Sequence, residues 1–307
     1  MNRTFGDWLV ESGMPENRFL DEMARVIPWE RIEAVLNREI PNPGGGRPPF
    51  PFIRLFRMTL LQWWHGLSDA QAEFQCADRF SFRKFLGLGV ADSVPDSTTL
   101  ADFRHKLEAG GLQEKLLKEL DALFVEKGFF LKSGTLVDAT FVKAARPKAD
   151  PDRKYGKKGN GYSASVSVGK KPKLIRTVVT TDASVHDSQS LSATLPENPG
   201  KTYADLGYWG APCSQAIVEG GGTPCIGHKK PKGKELQPWQ KGVNKILSKI
   251  RSGVEHIFAR WKTDFRMRNS RYSGQPKVHA FHCGMAVAYN CHRLGFLLRR
   301  KPGWSWT

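Results

Sequence analysis

The spacing of apolar residues changes once along the chain, near residue 130, and no other feature constrains the fold as tightly. Before that point Leu20, Met23, Ala24 and Ile27, then Ile32, Val35 and Leu36, recur at three- and four-residue intervals. That spacing predicts amphipathic helices. A breaker-rich stretch at 41–51 (PNPGGGRPPFP) separates them from a dense helical pattern at 52–67. Further helices are expected at 69–78, from about 96 to 109 with Asp96 or Ser97 as its cap, and at 112–127, with a short segment at 80–88. After residue 130 the texture is β-branched and alternating. Residues 135–142 (TLVDATFV), 163–168 (SASVSV) and 174–181 (LIRTVVTT) read as strands joined by two lysine-rich connections, 154–160 and 169–173. A short helix at 188–195, a strand at 202–206, a helix at 211–219, a strand at 223–227 and a long helix at about 243–265 follow. The expected architecture is α/β, a mixed sheet with flanking helices behind an all-α N-terminal domain. The divisions are a helical segment at 1–44, a helical domain at 45–130 and an α/β domain at 131–307.

Charge follows the same division. Residues 1–130 carry 16 Lys and Arg against 19 Asp and Glu, whereas residues 131–307 carry 31 against 11. A cationic domain of that size meets a polyanion, with nucleic acid foremost. No run approaches the 18 or so apolar residues of a membrane span, and the first residues lack a signal-peptide core. Five cysteines without a CxxC pair fit reduced thiols in a cytoplasm.

In so basic a half each acid is informative. Asp138 interrupts an apolar strand, and Asp205 ends another just before Gly207 and Gly210. Glu255 lies inside the long helix on one stripe with Arg251, His256 and Lys262, opposite Ile250, Val254, Ile257, Phe258 and Trp261. The remaining acids read as solvated. Two strand carboxylates and a helix carboxylate suit hard divalent cations. Two such ions about 3.5–4 Å apart suit in-line attack on a phosphodiester, with nearby Lys and Arg neutralising phosphate.

The sequences around these acids carry a resemblance. GTLVDATFV around Asp138, YGKKGNGYSASVSV at 155–168, TTDASVHDS at 180–188, TYADLGYWG around Asp205 and RSGVEHIFARWK at 251–262 resemble the DDE transposases of bacterial insertion sequences, specifically the insertion-sequence-five family. The last segment matches the family pattern R-x3-E-x6-K through Arg251, Glu255 and Lys262. The wider pattern places a tyrosine three residues before the arginine, and here that residue is Ser248. The segments FPFIRLFRMTLLQWWHGLSDAQAEFQCADRFSFRKFLGL and VPDSTTLADFRHKL resemble the helical domain that precedes the catalytic core. The resemblance spans about residues 45–295. It implies a ribonuclease-H-like catalytic domain with Asp138, Asp205 and Glu255 as metal-binding and catalytic residues, and Mg²⁺ as cofactor, with Mn²⁺ substituting and two ions bound. The implied activity is cleavage at the ends of an insertion sequence followed by transfer of the freed 3′-OH ends into target DNA. The implied partners are the element's terminal inverted repeats, the target DNA and further copies of the chain, as a homodimer or higher assembly, in the bacterial cytoplasm at the nucleoid and with no membrane partner. The alternative is an inactive or repurposed DNA-binding protein of the same fold, and a lesser one is a nuclease that cuts without joining.

Arg251 and Lys262 are candidates for phosphate contact beside the cleavage site. Lys157, Lys158, Lys170 and Lys171, on the two connections, are expected to form one basic rim. His186 is a candidate for DNA contact or for shaping its loop. Trp209, like its neighbour Tyr208, is poised either to stack on an unpaired base or to pack in the core. His279, His282, Cys283, Cys291 and His292 match no zinc-finger spacing, and core packing is expected.

Overall fold

A computed structural model describes residues 17–41, 50–130, 133–145 and 150–299. The first residues and most of the 41–51 stretch therefore lie outside the described residues. The chain divides into two compact units, Met1–Leu116 with Cys291–Thr307, and Leu117–Asn290.

The first unit is helical: α1 (Arg18–Val26), α2 (Trp29–Glu39), α3 (Phe52–His65), α4 (Asp69–Asp78), α5 (Phe80–Leu86), α6 (Ser97–Ala109) and the start of α7 (Leu112–Glu126). Its helix starts are set by side chains. Ser68 and Gln71 form a reciprocal capping box at α4. Asp96 accepts the Thr99 amide at 2.7 Å to cap α6. Leu36, Phe56, Met58, Leu60 and Leu61 are wholly buried in its core.

The second unit is built on one six-stranded sheet: β1 (Thr135–Lys143), β2 (Lys154–Gly156), β3 (Gly159–Gly169), β4 (Ile175–Asp182), β5 (Lys201–Ala204) and β6 (Thr223–Ile226). β1 lies at its centre. On one side β3 runs antiparallel to it and β4 antiparallel to β3, and on the other β5 and then β6 run parallel. This is the ribonuclease-H-like order that the resemblance implies. β2 was not expected. It is a three-residue strand within the lysine-rich 154–160 connection, paired with the start of β3. Glycine is needed at both edges of that hairpin, because a Cβ at Gly161 would lie 2.2 Å from the Val142 carbonyl and one at Gly156 only 1.8 Å from that of Ala183.

Register separates the two sheet faces. Val137 points to the side where α8 (Leu191–Thr194) and α9 (Ala211–Glu219) pack, in a cluster with Leu191, Ala204, Tyr208, Cys213 and Ile217. Leu136 and Asp138 point to the other side, where α10 (Pro238–Thr263) crosses β1 and β5 and brings Leu136 against Gly253. α10 starts five residues earlier than its apolar spacing predicted, after a capping box between Gln237 and Gln240. The short helix expected at 188–195 begins as a 3-10 turn, Asp187–Ser190.

α11 (Gln275–Leu298) covers the outer strand. Asn290 donates to the Ile175 carbonyl and accepts its amide, at 2.7 and 2.8 Å. His282 bonds Thr180 at 2.8 Å from a fully buried position. His282, Cys283 and Cys291 are wholly buried, so this part of the histidine–cysteine segment packs as core. Burial, and secondarily the neighbouring His279, hold His282 neutral, with a pKa pushed down to about 3. A histidine depressed in the folded state stabilises fully above its unfolded pKa of about 6.5 and loses that stability as pH falls towards 3. Replacing His282 with asparagine is therefore expected to flatten the fall in urea midpoint between pH 6.5 and 3. An unchanged slope would show that other groups drive acid unfolding.

None of the five cysteines is in a disulfide. Among the described residues no helix is long and apolar enough to cross a membrane.

Candidate active site

The site lies where β1 and β5 part. Thr135 is level with Thr202 and Leu136 with Tyr203. Two residues further along each strand, the same register sets Asp138 level with Asp205. β5 has ended by then, and that edge of β1 is next paired at Lys143, with Asn269, so the two carboxylates stand at the gap between. Ligand sites in α/β sheets form where neighbouring strands diverge in this way.

Each acid is held by its own backbone. Asp138 accepts the Ala139 amide at 2.8 Å. Asp205 accepts the Leu206 amide at 2.7 Å and caps the short 3-10 turn Leu206–Tyr208. Arg251, on α10, donates from Nη1 to Asp205 at 2.8 Å, while its Nε is buried with no partner among the described residues. Burial raises the Asp138 pKa first. The Ala139 amide and Arg251 pull it down, and Asp205 and Asp187 push it up. Negative charge is crowded here beyond what Arg251 balances, and hard oxygen donors in that state fit a divalent cation.

Glu255 sits one turn, about 6 Å, beyond Arg251 along α10 and is exposed. The structure thus brings Asp138 and Asp205 together, while Glu255 does not close on them. Among the described residues no three such groups form a ready-made metal cluster.

The basic residues divide differently from expectation. Lys157 and Lys158 form the turn of the β2–β3 hairpin, at the end of β1 where Gly161 pairs with Lys143. Lys170 and Lys171 lie at the opposite end, where Gly169 pairs with Thr135. They do not make one rim, because successive hairpin turns of an antiparallel meander fall at alternate ends of the sheet. Lys170 is engaged locally, bonding the Tyr203 hydroxyl at 3.2 Å. At the other end Lys262 joins Lys158. Its pKa is lowered by burial and then by the charges of Lys158 and Arg268. Phe141, Ala259, Lys262, Thr263 and Arg268 line a hollow there of about 440 Å³. Arg268 carried no signal in the sequence, since it lies in an irregular segment after α10.

His186 Nδ1 pairs with the Ser188 hydroxyl at 2.8 Å and caps the 3-10 turn, so it shapes its loop. Trp209 is 54 % exposed, with the Lys229 amine 5.8 Å from its ring centre, whereas Tyr208 is 2 % exposed and belongs to the core. The expectation that the other acids are solvated fails at three of them. Asp150 is 0 % exposed and accepts the Tyr162 hydroxyl at 2.6 Å and the Gly274 amide at 3.1 Å. Asp182 is buried beneath Ser184 and Lys154. Asp187 accepts the Ser163 hydroxyl at 3.0 Å and lies within electrostatic reach of Asp138.

The chain is similar to known transposases. The family described as "Transposase domain (DUF772)" matches residues 9–106. A cryo-EM structure of the piggyBac transposase synaptic complex with hairpin DNA aligns with a TM-score of 0.46 at 10 % identity, over 99 % of this chain and 78 % of that one. That likeness is too slight to place any residue. The family described as "Transposase DDE domain" matches residues 129–291. That match takes in the whole sheet, both strand acids and the helix acid, and it covers more than half of the sequence: the chain belongs to the DDE transposases.

Proposed function

We propose that Asp138, Asp205 and Glu255 are the catalytic carboxylates of this transposase and hold its divalent cations, two Mg²⁺ ions with Mn²⁺ able to replace them. DDE transposases cleave DNA and transfer strands with divalent metal ions. The reading of these residues rests on one observation above the others, the placing of Asp138 level with Asp205 where β5 ends. Bound cations there supply Lewis-acid activation of the attacking hydroxyl and charge neutralisation at the phosphate.

The protein's own groups do the rest. Asp138 is fixed by its amide bond and its burial, so it meets a ligand without reorganising. Arg251 holds the Asp205 carboxylate in place. In the loaded site its guanidinium is placed to donate to a DNA phosphate. Glu255 approaches from α10 to complete the set. The substrates are the terminal inverted repeats of the protein's own element and then target DNA, and the two ends are paired by a homodimer or larger assembly in the bacterial nucleoid.

The test is incubation of the protein with Mg²⁺ and DNA carrying those repeats. Released 3′-OH ends and joined products are expected. Cleavage without joining would identify a nuclease, and binding with no metal-dependent cleavage would identify an inactive DNA-binding protein.

Lys157, Lys158, Lys262 and Arg268 are read as backbone contacts at one end of the sheet. Each phosphate contact contributes about 0.9 to the slope of log K against log salt. Changing Lys158 and Lys262 together to glutamine is expected to lower that slope by about 2 and to weaken binding alike for specific and random duplexes. An unchanged slope would remove these residues from the interface.

A further inference from the structure

Tyr208 presents an unsolved problem in the fold. It is 2 % exposed, and its hydroxyl has no hydrogen-bond partner among the described residues. A buried hydroxyl left in that state destabilises the fold. A phenylalanine would pack equally well among Val137, Leu191, Ala204, Cys213 and Ile217. Burial raises the phenol's pKa first, and the next contributions are the charges of Asp187, Asp138 and Asp205, in that order. Tyr208 follows Asp205 by three residues, and its amide bonds the Asp205 carbonyl at 2.9 Å. Asp187 reaches the same place from the other sheet face, held by Ser163 at the start of the 3-10 turn that His186 caps. A buried donor without an acceptor therefore lies within electrostatic reach of three carboxylates, one of which lies outside the catalytic set.

We propose that Tyr208 and Asp187 are positioning residues of the cation site, where the phenol hydroxyl and the Asp187 carboxylate together hold water molecules that a bound divalent cation brings in beside Asp138 and Asp205. This inference rests on the reading of Asp138 and Asp205 as cation ligands. The chemistry is consistent on both sides. Hydrated Mg²⁺ and Mn²⁺ keep several waters that need acceptors and donors around them. Groups that orient such ligands typically change metal affinity about 10–100-fold when removed.

The experiment measures Mn²⁺ binding to the full-length, DNA-free protein by calorimetry, with melting temperature recorded in the absence of metal. Tyr208→Phe removes only the hydroxyl. It is expected to weaken Mn²⁺ binding about 10-fold or more, while the metal-free melting temperature stays the same or rises. Asp187→Asn is expected to weaken Mn²⁺ in the same way. Asp138→Asn serves as the reference for the site itself. Wild-type Mn²⁺ affinity in Tyr208→Phe, with affinity lost in Asp138→Asn, would overturn this inference and leave the site standing. Wild-type affinity in both would overturn the site with it. A fall in the metal-free melting temperature of Tyr208→Phe would mean that the hydroxyl serves the fold, and would also overturn the inference.

Discussion

Asp205→Ala is expected to lose cleavage and joining together, by at least about 10³-fold, because residues that act as one unit fail as a unit. DNA binding should survive, since the basic residues at the end of the sheet are untouched. Asp138→Asn should lose activity to the same degree, and a second effect separates the two positions. Asp138 is buried and pressed by Asp205 and Asp187, so its pKa stands above the ordinary carboxylate value. A raised carboxylate stabilises the fold below its unfolded pKa of about 3.9 and loses that contribution as pH rises through its folded pKa. At neutral pH the metal-free protein therefore carries a charge it would be more stable without. Asp138→Asn should melt higher than wild type at pH 7 without metal, and the gain should vanish below pH 4. Exposed sites trade stability for function less sharply, so Asp205→Ala, half-exposed in the wild type, should shift melting less. An Asp138→Asn protein that melts lower at pH 7 would show that this carboxylate serves packing.

The second large effect lies away from the site. Arg176, on β4, grips Asp121, on α7, through Nε at 2.9 Å and Nη2 at 3.0 Å. The side chains are 6 % and 17 % exposed. The guanidinium also lies 4.6 Å from the centre of the Phe130 ring. Asp121 still has a raised pKa, because burial outweighs the pull of Arg176. Removing the arginine alone leaves an uncompensated buried acid, so Arg176→Ala should cost about 3–5 kcal/mol. The cost should be smallest in acid, where Asp121 is protonated, and should grow as pH rises. Converting the pair to Arg176→Met with Asp121→Leu should recover most of the loss. Urea denaturation of both variants measures it, and a loss under about 1 kcal/mol for Arg176→Ala would mean that Asp121 finds water instead.

Much of the fold was legible because its elements carry their own periods. β1, β3 and β4 alternate β-branched and small residues, and Val254, Ile257, Phe258 and Trp261 mark one face of α10. β2 was not legible: three residues of a charged, glycine-flanked loop hold a strand only through their partner. Asp138 and Asp205 stood out because a charge in an apolar strand has no bland explanation. Asp150 and Asp187 did not, because their partners lie far off in sequence. Tyr162 and Gly274 come together around Asp150 only after β3 and α11 have packed. The position of Asp187 beside Asp138 depends on how a 3-10 turn leaves β4. The single basic rim failed on topology, since reading two lysine loops as neighbours ignored the reversal of direction between them. Glu255 was placed on the right face of α10 by its amphipathic spacing, but spacing sets a face and not a distance.

The central claim is that Asp138 and Asp205 ligate the cation through oxygen. Asp205→Cys tests it most directly, because a thiolate suits Mn²⁺ better than the harder Mg²⁺. With DNA carrying the element's own ends, this variant should be inactive in Mg²⁺ and should regain cleavage in Mn²⁺. Cleavage at the wild-type rate in Mg²⁺ would contradict the account.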